Sequence, residues 1–207
     1  MKRLICLLIS VLVIFSLLFR NDKVVSQSEI SDKLIRFHII ANSDTIEDQA
    51  LKLKVRDKVL AYISPKLSNS KSIDESRLII KNNDDEMKKI AEQVVKSNGY
   101  SYKISSSLGR GNFPIKTYGN ITLPQGNYEA YKIMIGEAEG QNWWCVMFPP
   151  LCFVDISKGE VSYEETEKEM RTVLTPEEYS AVDNTKGNKI QIRFKILDII
   201  SKIRNPV

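Results

Sequence analysis

The spacing of apolar residues changes along the chain, and each change predicts a different element. Residues 4–19 are apolar on every side, broken only by Ser10 and Ser16. Residues 34–41 (LIRFHIIA) form a run of branched and aromatic residues, the pattern of a buried strand. Asn42, Ser43 and Asp44 end that run. Asp44 and Glu47 have the spacing of a capping box, which predicts a helix from about Thr45. Leu51, Val55, Val59, Tyr62 and Ile63 continue it as an apolar stripe. Pro65 is expected to stop this helix and residues 66–72 to form a polar loop. Residues 73–81 fit a short helix. Met87, Ile90, Ala91, Val94 and Val95 predict a clearer one over residues 84–97, closed by Gly99.

From Tyr100 the period shortens to two. Tyr100, Tyr102 and Ile104 alternate with polar residues, as in a half-buried strand. Gly109-Arg110-Gly111 reads as a loop. Ile121 and Leu123 lead into the turn signal Pro124-Gln125-Gly126-Asn127, and Tyr131, Ile133 and Ile135 into a returning strand. A second turn at residues 140–142 precedes the apolar run 143–148. Residues 164–171 are charged. Thr175-Pro176-Glu177-Glu178 is a helix start, with cap, proline and first-turn acids, and Gly187 is expected to break that helix. Residues 190–203 read as a strand running into a helix, or as one helix throughout. The sum is an α+β fold: an N-terminal strand-helix-helix unit, an antiparallel strand meander packed with helices, and a helical C-terminal tail.

The basic start Lys2-Arg3, the apolar stretch and a polar exit describe a secretory signal or an uncleaved membrane anchor over residues 1–26, with a weak cleavage site after Ser26. Sixteen helical residues would span about 24 Å, slightly short for a bilayer core. Residues 27–207 then form a single exported domain, attached to the membrane only if the segment is uncleaved. The net charge of +4 resides largely in the first 26 residues, which carry +3. The remainder lacks the basic excess of a nucleic-acid binder, so no nucleic-acid partner is expected.

Export alters the reading of Cys145 and Cys152, which flank a diproline: they are either a disulfide pair or two small buried hydrophobes. His38 is the sole histidine and sits in an apolar stretch. A hydrolase reading would make Cys145 or Cys152 the nucleophile and His38 its base. Trp143 and Trp144 must face opposite ways on a strand, so both are core or one is an exposed anchor. No metal-ligand spacing, phosphate loop or nucleophile elbow is present, and no metal or cofactor is expected.

Four stretches carry a family resemblance: 36–44 (RFHIIANSD), 48–57 (DQALKLKVRD), 113–119 (FPIKTYG) and 140–152 (GQNWWCVMFPPLC). Together they resemble the stage II sporulation protein R family of endospore-forming Gram-positive bacteria, over about residues 34–155. The resemblance implies a non-enzymatic signalling protein made in the forespore and exported toward the intermembrane space. There it activates a membrane-embedded aspartic-type peptidase, which removes the pro-sequence of sigma-E in the mother cell. The family has no catalytic residues to transfer. His38, Asn42, Ser43 and Asp44, at a strand end and helix cap, and Trp143 and Trp144 are the candidate partner contacts. For Asn42 to Asp44 the competing role is simple helix capping.

Overall fold

A computed structural model describes residues 25–153 and 163–185. The apolar segment 4–19, Gly187 and the patterned stretch 190–203 lie outside the described residues.

The first helix, α1 (Gln27–Ser31), is short and heavily capped. Ser26 Oγ accepts from the Glu29 amide, and the Ser26 amide donates to Glu29 Oε2 at 2.7 Å. Val25 packs against the core cluster that contains Ile30, the residue pair of a hydrophobic staple. Strand β1 (Ile35–Ile40) follows, then α2 (Ile46–Leu67). Its cap is Thr45, one residue later than Asp44, because the Asp44 carboxylate is taken up by the Gln141 amide at 2.6 Å. The helix also runs past Pro65 rather than stopping there. A proline so near the end removes one bond of the last turn, while Leu67 is fully buried and anchors that turn.

Helices α3 (Ile73–Asn82) and α4 (Asp84–Ser97) occupy the expected segments, and Gly99 closes α4 at φ +84°. The strands are β2 (Ile104–Phe113), β3 (Lys116–Tyr118), β4 (Ile121–Leu123), β5 (Gly126–Ile135) and β6 (Asn142–Phe148). A 3-10 turn, Leu151–Phe153, leads toward α5 (Tyr163–Val173) and α6 (Pro176–Val182), whose Thr175–Glu178 capping box is as expected.

The class is α+β, but the strands are not paired in sequence order. The main sheet runs β2-β5-β1-β6, with β1 parallel to β5 and antiparallel to β6. β1 takes this central place because Phe37 and Ile39 are wholly buried on one face while Arg36 and His38 are buried on the other. β3 and β4 form a separate ribbon, so residues 124–127 carry the chain between two sheets rather than around a hairpin. Tyr128 pins that crossing by donating to Pro124 O at 2.7 Å. Gly109-Arg110-Gly111 is not a loop. It lies within β2 opposite Ala130, Glu129 and Tyr128. The expected strand start at Tyr100 moves to Ile104, since residues 100–103 pair with no strand.

The pleat gives the sheet two different faces. Phe37, Ile39, Ile133 and Ile135 meet α2 and α4, whose Val55, Val59, Met87 and Ala91 are fully buried. The opposite face carries Arg36, His38, Lys132 and Trp144. At one end of that face, Tyr118 from the β3–β4 ribbon and Gln27 from α1 close over Arg36 and Gly126.

Candidate functional site

The corner after β1 is a closed hydrogen-bond network. Asn42 Nδ2 and Ser43 Oγ donate to Asp48 Oδ2 at 2.8 and 2.6 Å. Asn42 Oδ1 accepts from the Glu137 amide at 3.0 Å, and Lys52 Nζ donates to Gln141 O at 2.8 Å. Burial alone would raise the Asp48 pKa, but the Ser43 and Asn42 hydrogen bonds outweigh it and hold the carboxyl below its usual range. A Cβ on Gly140 would strike the Ser43 carbonyl, so the two turns touch backbone to backbone. Asn42 and Asp44 therefore spend polar atoms joining the β1–α2 corner to the β5–β6 turn, while Ser43 closes the corner itself.

His38 lies on the other side of that corner and is only 7% exposed. Its ring stacks flat on Trp144, with centroids 4.8 Å apart and planes 7° apart, while Phe113 packs edge-on against Trp144 at 4.8 Å. Burial, then the Lys132 charge, lower the His38 pKa to about 4; an Asn142 contact opposes them and Arg36 adds to them. The ring is thus neutral at physiological pH. Neither ring nitrogen makes an aligned hydrogen bond. Trp144 is half-buried, so its stack with His38 reaches the surface.

Trp143 points to the helix face. Its ring meets Phe37 edge-on at 5.9 Å and lies 5.1 Å beneath the Arg56 guanidinium. It too is half-buried. The two tryptophans thus flank β6 on opposite faces, each against a different neighbour.

Cys145 and Cys152 are joined as a disulfide, with Cα atoms 5.6 Å apart. Cys145 pairs with Phe37 on β1 and shares its face, whereas His38 pairs with Trp144 on the reverse. The cysteine-histidine arrangement of a hydrolase is not assembled: the sulfurs are bonded to each other and the sheet separates Cys145 from the imidazole. Among the described residues, no group of three or more His, Cys, Asp and Glu could hold a metal ion, and no helix is long and apolar enough to cross a membrane.

The residue that sequence reasoning passed over is Arg36, which is wholly buried. Its Nε donates to Cys145 O at 3.2 Å and its Nη2 to the Tyr118 hydroxyl at 2.9 Å. The Phe113, Tyr128 and Tyr118 rings surround Cζ at 4.5, 4.9 and 5.5 Å. The available signal was a lone cation inside an otherwise apolar strand.

Comparison with known proteins gives a consistent answer. The family model described as stage II sporulation protein R matches residues 31–158. The chain is 44% identical over 140 residues to stage II sporulation protein R of Bacillus subtilis (strain 168). That match covers 68% of this chain and 62% of the relative, less than two thirds of its length. No solved structure matches. The matched region contains the β1–α2 corner, the His38–Trp144 stack, the Arg36 box and the disulfide, and on this evidence the chain belongs to the stage II sporulation protein R family of sporulation proteins.

Proposed function

We propose that this protein is an exported sporulation signal. In this reading it activates a membrane-embedded aspartic-type peptidase from the extracytoplasmic side, and the peptidase then processes pro-sigma-E in the mother cell. Family membership supports the sporulation role, and the basic-apolar amino terminus supports export. The observation that carries the reading further is the disulfide. A Cys145–Cys152 bond suits an oxidising compartment outside the cytoplasmic membrane, and it leaves neither sulfur as a thiolate nucleophile.

An activator must bind the active state of its target better than the inactive one. Of the six candidate contacts, Trp144 suits this role best. It is a large, half-exposed aromatic held rigid by His38 and Phe113, so little side-chain entropy is lost on docking. Trp143 is a second anchor on the other face. Asn42, Ser43 and Asp44 serve indirectly, by fixing the turn from which β6 begins.

The test is reconstitution in a non-sporulating host that expresses the sigma-factor precursor and the peptidase. The chain is added intact, with residues 4–19 deleted, or with Trp144→Ala. Processing is expected only with the intact chain. Trp144→Ala should reduce it at least tenfold, about 1.4 kcal/mol of contact. Equal processing by the deleted form would overturn the extracytoplasmic site of action. Normal processing by a folded Trp144→Ala protein would remove Trp144 from the contact surface.

A further inference from the structure

The two edges of the main sheet are finished differently. β6 is followed at once by Pro149-Pro150 and is tethered to the 3-10 turn by the disulfide. β2 has ten residues, no proline, and an unbroken register from Ile104 opposite Ile135 to Phe113 opposite Gly126. Among the described residues its backbone bonds only to β5, so its outer edge keeps a row of unpaired N–H and C=O groups. Such an edge invites a further strand unless it is shortened, broken or covered.

The sheet face beside this edge is also bare. A Cβ on Gly109 would meet no atom within 4 Å, and Ser107 is exposed. One row crosses the sheet here. Trp144 on β6, His38 on β1, Lys132 on β5 and Ser107 on β2 are consecutive cross-strand partners. The ends of the row lie about 14 Å apart, three strand spacings. The Trp144 contact and the free edge therefore belong to one surface.

Charge says what kind of strand fits. Lys103 is exposed and Lys132 half-buried, and neither has a carboxylate partner among the described residues. Asp84, which reaches β2 through Ser106, is already held by Tyr131 and Lys88. Ser107 lies between Lys132 and the edge and is too small to block a lysine. A residue on an added strand would stand about 10 Å from Lys132, two strand spacings, a gap that a lysine and a glutamate span together. The chain's own segment beyond Thr185 does not suit this edge. It carries Lys186, Lys189, Arg193, Lys195, Lys202 and Arg204 against Asp198 alone. We infer that β2 receives an extended, carboxylate-bearing segment of the peptidase as an added strand, with an acidic side chain beside Ser107 paired to Lys132. The inference rests on the peptidase reading and adds the mode of docking to it.

The reconstituted host tests this with the full chain. A photoreactive phenylalanine derivative replaces Ser107, or the exposed Lys89 of α4 as a control. Ultraviolet light should link the probe at 107, and not the probe at 89, to a peptidase segment that contains Asp or Glu. Lys132→Glu should lower processing about tenfold, whereas Lys132→Arg should keep it within about twofold. An unchanged urea midpoint for purified Lys132→Glu separates lost docking from lost folding. If that variant does not fold, Lys132→Gln removes the same cation and takes its place. With the intact chain active, the absence of a crosslink at 107 or normal processing by Lys132→Glu would overturn the added strand and leave the peptidase reading standing. No processing by the intact chain would overturn that reading, and this inference with it.

Discussion

His38 is a neutral imidazole that the fold keeps neutral. Its pKa of about 4 lies below the ordinary 6.5, so between those values the unfolded chain binds a proton that the folded chain refuses. Stability from burying the neutral ring is fully present above pH 6.5. It is lost as the pH falls toward 4, to a limit of ~3 kcal/mol. The groups that face the ring are Lys132, Arg36 and Asn142, and the two cations both disfavour a second positive charge there. His38→Phe keeps an aromatic surface on Trp144 but cannot titrate. Urea denaturation at pH 7 and at pH 4.5 should therefore show a larger loss for the native sequence than for this variant, by ~2 kcal/mol. Equal losses would mean that the imidazole accepts its proton inside the fold.

At the scale of elements, local capping does much of the shaping. α1 has only five residues, too few to be stable by propensity alone, and it depends on Ser26, on buried Ile30 and on tertiary contact. Ser26→Ala should cost ~1 kcal/mol of global stability, read from the urea midpoint at unchanged slope. No change would mean that Ile30 packing alone seats the helix. Local signals made α4 and α6 legible in the sequence: an apolar stripe closed by Gly99 for α4, and the Thr175–Glu178 capping box for the start of α6. Strand partners were not legible. Alternation says which face a residue takes, not which strand lies beside it, so β1's insertion between β5 and β6 left no trace in the periodicity. Gly109 and Gly111 read as loop residues because a strand glycine has no side chain to reveal its pairing. In the candidate site, His38 and the tryptophans stood out by residue type. The meaning of Arg36 stayed hidden, since its partners Tyr118 and Cys145 lie 82 and 109 residues along the chain.

Across the whole molecule, β6 is the edge strand on which the other parts converge. Its start is set by the turn that Asn42, Asp44 and Gly140 lock to the β1–α2 corner. Its middle is held on the helix face by the disulfide to the 3-10 turn and from the opposite face by the Arg36 hydrogen bond to Cys145 O. Both tryptophans of the chain lie on this strand, so intrinsic fluorescence reports on β6 directly. The disulfide joins residues seven positions apart, and closing so short a loop stabilises the fold by ~2.5 kcal/mol in the chain-entropy account. Reduction should lower the unfolding free energy by that amount, read from the urea midpoint and slope. It should also shift the tryptophan emission toward the red before global unfolding, because an edge strand paired on one side only is the first to loosen. The Cys145→Ser, Cys152→Ser double variant should reproduce both effects without reductant. If reduction leaves the midpoint and the emission unchanged, packing and Arg36 suffice to hold β6, and the tryptophan platform is independent of the redox state of its compartment. If the emission shifts while the midpoint holds, the disulfide acts locally on the tryptophan platform rather than on the fold as a whole.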